Sequence, residues 1–326
     1  LATRVLSTII CNNFIITGYT ICITNEGNLI SFGFHSKGSH GHDKSFIPSP
    51  TIIPSLKNIK SIDCGVYHTL CLDYDGYVFS FGSNENGQLG IGSNKGLRNF
   101  TCEPQKVNLP PCKQISCCGT SSICLSGNGD LYGFGCSSYG QLGLGSTDNV
   151  FSPTKIEPLN DIDFVTCSGG FSICKTNNNE VYVWGNNEQG QLGVGNRNIL
   201  YTPYKCENWI DATIVDIKCG SSHTIVLTSN QEVYSCGWNQ YSQLGRTSEE
   251  IFSDIPFSST LKKIDELSDI IRIECGVNHS ICIDSNGNLF VFGYNNLGQL
   301  GLGDRNNRNK PIKHPSLSNI IDVATG

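Results

Sequence analysis

Phe81-Gly82-Ser83-Asn84-Glu85-Asn86-Gly87-Gln88-Leu89-Gly90 is a glycine-rich phrase that returns along the chain with a period of about fifty residues. It comes back as Phe134-Gly135 to Gly140-Gln141-Leu142-Gly143, then as Trp184-Gly185 to Gly190-Gln191-Leu192-Gly193. Two further copies read Cys236-Gly237 to Ser242-Gln243-Leu244-Gly245 and Phe292-Gly293 to Gly298-Gln299-Leu300-Gly301. A worn copy, Phe32-Gly33 to Gly38-Ser39-His40-Gly41, begins the series. Repeats of this length imply a radial or stacked array in which each unit buries its apolar face against its neighbours.

The residues around the phrase in the second copy predict four strands. Ser61-Ile62-Asp63-Cys64 alternates and stops at Gly65, giving a short strand A. His68 to Leu72 reads as strand B, Asp73-Tyr74-Asp75-Gly76 as a tight turn, and Tyr77 to Gly82 as strand C. The Asn-Gly-Gln-Leu-Gly stretch is then a long ordered loop. Pro104-Gln105-Lys106-Val107 is strand D, at a sheet edge because proline lacks a ladder donor. Four antiparallel strands per repeat, arranged radially, make a propeller blade.

The pattern Cys-Gly-x-x-His-Thr/Ser, a hairpin, then Phe/Trp-Gly-x-Asn-x-x-Gly-Gln-Leu-Gly resembles the regulator of chromosome condensation repeat over nearly the whole chain. The resemblance implies an all-β fold, a seven-bladed propeller of four-stranded antiparallel blades closed by both chain ends. The repeats fall at about 11–45, 58–110, 111–159, 160–209, 213–264 and 268–317 of a single domain, 1–326. Residues 319–326 match a strand A and residues 2–8 a strand D, so the seventh blade is expected to be incomplete. On this reading about 20 residues, enough for two strands, are missing at the C-terminal end. Spacing also varies. The turn and strand-C glycines stand 17 apart in Gly65–Gly82, Gly220–Gly237 and Gly276–Gly293, one fewer in copies 3 and 4, and two fewer in copy 1.

Bulk composition agrees with this organisation. The 326 residues include 36 glycines, and only 15% are charged, which favours short strands and tight turns. A net charge of −6 opposes a nonspecific grip on nucleic acid. No apolar run approaches the roughly 20 residues that span a bilayer, and Leu1 to Ile10 lack the features of a secretory signal. The expectation is an intracellular monomer, in cytoplasm or nucleus, without a membrane role. Of the 17 cysteines, Cys22, Cys71, Cys124, Cys174 and Cys282 fall at one strand position where the fifth phrase-bearing copy has Val226. Such cysteines read as small buried hydrophobes, and no pair has zinc-site spacing. No cofactor or metal is expected.

His68, His223 and His279 each stand three residues after a turn glycine, and read as structural ties of the A–B turn. The Gly-Gln-Leu-Gly loops lack the lysine of a phosphate cradle, and no nucleophile elbow, His-Glu-x-x-His helix or catalytic carboxylate pair occurs. In an A-B-C-D blade the A–B turns and C–D loops emerge on one face. That face collects Arg98, Arg197, Arg246, Arg305 and Arg308 with Tyr67, Tyr139, Phe171 and Tyr241, the residue types enriched at binding hot spots. The opposite face gathers acidic residues, among them Asp73, Asp211, Asp265 and Asp269, diluted by Lys57, Lys60, Lys262 and Lys263. The sequence therefore suggests a non-enzymatic scaffold that binds a protein partner through the loops of one face. The alternative, implied by the family resemblance, is a guanine-nucleotide exchange factor for a Ran-type small GTPase. A light-sensing role is set aside, because Trp184, Trp209 and Trp238 are scattered rather than clustered.

Overall fold

The computed structural model describes every residue except 1–4, 13–17, 36, 93–98, 208, 248–249, 253–254 and 326. Contacts divide it into two units, 1–178 with 201–203 and 326, and 179–200 with 204–325. All assigned pairing is antiparallel.

In the first unit, β1 (Val5–Asn12), β2 (Gly18–Thr24), β3 (Leu29–Phe34) and β4 (Phe46–Ile52) form one sheet in chain order. A second comprises β5 (Ile59–Cys64), β6 (His68–Asp73), β7 (Val78–Ser83) and β8 (Phe100–Lys106). A third comprises β9 (Cys112–Cys118), β10 (Ser121–Ser126), β11 (Leu131–Gly135) and β12 (Val150–Lys155). β13 (Ile162–Ser168) then pairs with β14 (Phe171–Thr176).

In the second unit β15 (Val181–Gly185) pairs with the two ends of β16 (Leu200–Lys205), at Leu200 and at Tyr204 and Lys205. Next come β17 (Ile214–Cys219), β18 (His223–Thr228) and β19 (Val233–Trp238), followed by β20 (Glu250–Phe252) and β21 (Ile255–Lys263). The last sheet is β22 (Ile270–Cys275), β23 (His279–Asp284), β24 (Leu289–Gly293) and β25 (Arg308–Lys313).

Two readings need correction. Val5 does not belong to an outer strand D: Val5–Asn12 is the innermost strand of the first sheet, paired with β2, while residues 2–4 lie outside the described residues. The sheet of the fifth copy has five strands, because β20 adds itself beyond β21. The long segment after Arg246 is thus partly hairpin. Residues 319–325 form no strand. Ile320 N–H nevertheless bonds Gly287 O, repeating the Ile59 N–H to Gly27 O bond that begins β5.

Apolar side chains of consecutive sheets interleave, as repeat logic requires. Tyr19, Ile21 and Ile53 pack with Ile62, Cys71 and Phe81; Leu70, Leu72 and Val78 pack with Cys124 and Phe134. In the second unit Ile225, Leu227 and Val233 meet Ile273, Cys282 and Phe292. The repeated cysteines Cys22, Cys71, Cys124, Cys174 and Cys282 are all buried, and Val226 takes the same site. They act as small apolar side chains, and burial pushes the Cys71 and Cys124 thiols well above their usual range.

A second tie joins neighbouring copies. The Ser or Thr near the start of strand B donates its hydroxyl to a carbonyl in the preceding copy's long loop. Thr69 bonds Ser39 O at 2.7 Å, Ser122 bonds Gln88 O at 2.8 Å, and Ser172 bonds Gln141 O at 2.9 Å. In the second unit Thr224 bonds Gln191 O at 2.7 Å and Ser280 bonds Gln243 O at 2.9 Å. Removing one such hydroxyl leaves a buried carbonyl unpaired. Ser122→Ala is expected to lower stability by about 1–3 kcal/mol in urea unfolding, more than an exposed Ser→Ala change.

Candidate functional site: the long C–D loops

Two side chains recur in building the long loops, an asparagine in four copies and a glutamine in five, with Ser137 at the asparagine position of copy 3. The asparagine after the strand-C glycine turns its carbonyl oxygen to the leucine N–H of Gln-Leu-Gly. Asn84 does so to Leu89, Asn187 to Leu192, Asn239 to Leu244 and Asn295 to Leu300, at 2.9–3.0 Å. The glutamine carbonyl oxygen then accepts the N–H of the residue two positions earlier. These pairs are Asn86 with Gln88, Tyr139 with Gln141, Gln189 with Gln191, Tyr241 with Gln243 and Leu297 with Gln299. Buried Asn and Gln thus fix the backbone, and the side chain just before the loop glycine varies from copy to copy. It is 43% exposed as Tyr139 and 82% exposed as Leu297. Copy 1 departs from the pattern: His35 stands for the asparagine and accepts the N–H groups of Lys37 and Ser39 on Nδ1.

The A–B turns come in two forms, which explains the uneven glycine spacing. In copies 2, 5 and 6 the turn glycine N–H bonds the histidine carbonyl: Gly65 to His68, Gly220 to His223 and Gly276 to His279. In copies 3 and 4 a two-residue hairpin, Gly119-Thr120 or Gly169-Gly170, joins Cys118 to Ser121 or Ser168 to Phe171. Both Gly169 and Gly170 have positive φ, which the tight turn demands.

Two of the three turn histidines meet a serine of the following copy. His68 Nε2 lies 2.9 Å from Ser122 Oγ, and His223 Nε2 lies 3.0 Å from Ser280 Oγ. Because each serine hydrogen already points to a glutamine carbonyl, the imidazole Nε2–H must be the donor. Nδ1 is then left without a partner in His68 and His223. Burial drives the pKa of both down to about 3, and that of His279 to about 4.

The structure separates the expected contact residues. Phe171 is fully buried in the slot that histidine fills elsewhere, so it presents nothing to a partner. Arg98 lies outside the described residues. Arg246 is half-buried, with Nη2 2.8 Å from Ser235 O and Nε 3.2 Å from Ser235 Oγ, so it braces the loop. Arg308 pairs with Asp304 at 2.6 Å, and Arg197 lies 5.0 Å from the Phe257 ring centroid while bonding Glu188 O. Arg305 is exposed. Tyr67 is half-buried beside His35, with the Lys37 ammonium 5.0 Å from its ring centroid. Tyr241 meets Trp238 edge-on at 5.1 Å and Tyr294 at a tilt at 4.7 Å between centroids. Leu297 escaped the sequence reading, although its place before Gly298 matches Tyr139 before Gly140. Among the described residues no cluster of His, Cys, Asp or Glu has metal-binding geometry, and no helix is long and apolar enough to cross a membrane.

Comparison with known proteins places the repeat in a family. The model of the RCC1-like domain matches residues 6–260, and models of the regulator of chromosome condensation (RCC1) repeat match 270–299 and 286–326. The X-linked retinitis pigmentosa GTPase regulator of Canis lupus familiaris is 38% identical over 300 residues, 90% of this chain and 29% of that protein. The chain therefore spans less than a third of that relative's length. Among solved structures, human WBSCR16 superposes with a TM-score of 0.86 at 22% identity, covering 100% of this chain and 85% of the other. Prp20p from Saccharomyces cerevisiae, solved with its binding properties to Gsp1p and histones, gives a TM-score of 0.80 at 18% identity, covering 96% and 77%. Repeat, sheet order and loop closure all lead to one conclusion: this chain is an all-β propeller of the RCC1-like domain family.

Proposed function

We propose that the protein is a non-enzymatic interaction scaffold that recognises a protein partner through its long C–D loops. The observation that carries this is the loop design itself. The glutamine oxygen closes the loop the same way in five copies, with a buried asparagine added in four of them, while the side chain before the closing turn differs from copy to copy and is exposed as Tyr139 and Leu297. A constant frame with variable tips suits recognition rather than reaction. Tyr139, Tyr241, Leu297 and Arg305 are the contacts proposed; the free thiols fit a reducing, intracellular setting. Tyr139→Ser and Leu297→Ser should each reduce retention of a captured partner about tenfold while leaving the urea midpoint unchanged. Retention equal to wild type would count against these loops. Arg246→Glu should instead lower the midpoint, since its guanidinium braces Ser235.

The second reading is exchange of guanine nucleotide on a small GTPase. It is favoured by the 38% identical relative named as a GTPase regulator. Exchange requires only a surface that binds two GTPase states unequally. Release of fluorescent GDP from a Ran-type GTPase tests it: strong acceleration makes the chain an exchange factor, and none leaves the scaffold reading.

A further inference from the structure

Copy 1 closes its long loop with titratable side chains, and the other copies do not. Where they carry Asn or Ser, then Gln, then Leu, it carries His35, Ser39 and His40. The backbone path is shared. Ser31 Oγ donates to His40 O at 2.6 Å, as Ser80 does to Leu89 O at 2.8 Å and Ser235 to Leu244 O at 2.9 Å. His40 is thus an imidazole in a leucine slot, and it is as fully buried as His35. Half-buried His42 extends the series, with ring centroids 5.9 Å apart from His35 to His40 and 5.5 Å from His40 to His42. Nε2 of all three rings and Ser39 Oγ are buried without a partner, where buried polar atoms are ordinarily bonded. His35 Nδ1 accepts Lys37 N–H at 2.8 Å and Ser39 N–H at 3.1 Å, and His40 Nδ1 accepts His42 N–H at 3.4 Å. In His35 and His40 the ring proton therefore sits on Nε2, which leaves no lone pair there for a metal ion.

A second proton on either ring would have to enter at Nδ1, where backbone donors already stand, so the imidazolium and the closed loop exclude one another. The surroundings do not offset the charge. Tyr19 of β2 and Tyr67 of the next A–B turn face His35 as neutral rings, at 5.1 and 6.3 Å. The loop's own cations are Lys37, held by Glu85 at 2.6 Å, and exposed Lys44. The Asp43 carboxylate accepts the Cys102 thiol of β8 at 3.0 Å. None of the three histidines belongs to an ion pair among the described residues. Burial, then His40 and Lys37, bring His35 down to about 4, and burial lowers His40 and His42 as well, opposed only in part by the carbonyls of Lys44, Ser45 and Thr51. Two bonds hold the closed loop on copy 2: the Thr69 hydroxyl to Ser39 O at 2.7 Å, and the Cys102 thiol to Asp43.

We propose that the copy 1 loop is an acid-opened switch: protonation of His35, His40 and His42 releases residues 37–45 from the sheets while the amide-closed loops stay shut. The switch is a property of the chain alone and needs no partner. In the open loop the histidines return to about 6.5, above their closed values, so opening takes up protons and is favoured as the pH falls below 6.5. His35 by itself raises the opening constant about tenfold between pH 7.5 and 5.5, and the other two add to it. Amide hydrogen exchange of the full chain, read by mass spectrometry at the two pH values and corrected for intrinsic rates, tests this. Protection in a peptide covering 37–45 should fall by more than about tenfold. A peptide covering 84–91, whose Leu89 N–H is held by the Asn84 amide, should lose less than about threefold. His35→Asn, which restores the asparagine of four other copies, should make the fall about tenfold smaller. His42→Gln, at a half-buried position, should also reduce it and serves if the first variant does not fold. Full protection of 37–45 at pH 5.5, equal losses in the two peptides, or a loss that neither variant reduces would each overturn the proposal.

Discussion

Urea-unfolding midpoints measured at falling pH are expected to drop steeply once the pH passes below about 6.5, the ordinary histidine value. Burial holds His68 and His223 near 3, and His35 and His279 near 4, in the folded chain. The geometry gives the reason. Nδ1 of His68 and of His223 is buried without a partner, so a second proton there would be an unsatisfied charged donor. In His35 the same proton would face two backbone N–H groups.

The sign follows from proton counting. Between pH 6.5 and the folded values the unfolded chain binds more protons, so stability is full above 6.5 and is lost as the pH falls toward about 3–4. Each histidine contributes a slope of about 1.4 kcal/mol per pH unit, and four would remove a typical total stability of about 5–15 kcal/mol within two or three units. Asp216, which burial raises, acts in the opposite direction but is one group. His68→Asn, measured from its own lower baseline at neutral pH, should show a shallower slope. A flat stability profile down to pH 5 would contradict the burial of these imidazoles as neutral groups.

Gly82→Ala should be among the most damaging single methyl additions at the described glycines. Gly82 has φ +110, and a Cβ there would sit 2.3 Å from Tyr67 O and 2.7 Å from the His68 Cα. Those atoms are backbone of the adjacent strand and cannot swing away. The substitution would have to break the β6–β7 ladder beside the His68 turn, so loss of more than about 4 kcal/mol, or failure to fold, is expected. Gly303 is the control: its φ is +79, but a Cβ would meet nothing within 4 Å. Gly303→Ala should cost only the left-handed backbone penalty, about 1–2 kcal/mol. Similar urea midpoints for the two variants would show that close approach is not what Gly82 serves.

The strands and their order were legible because each repeat writes the same punctuation: a glycine after strand A, a hairpin glycine or aspartate, and the Gly-Gln-Leu-Gly loop. Burial at repeated positions was legible for the same reason, since five cysteines and Val226 share one slot. Individual exposure was not. Phe171 reads as a surface aromatic in isolation, but a shortened turn places it in the histidine slot. Arg246 and Arg308 read as free cations, yet their partners, Ser235 and Asp304, are set by the loop path. β20 was hidden because three residues cannot declare a strand without their partner Ile255–Lys263.

The glutamine-closed loop separates two demands that most binding surfaces couple. Closure depends on Gln and Leu, joined by a buried Asn in four copies, and the tip before the closing turn contributes only its backbone N–H. Mutations at that tip can therefore accumulate almost neutrally for folding while changing what is recognised. Such a chain can acquire a new partner by drift at a few positions, and the same tips are natural places to graft a foreign recognition residue.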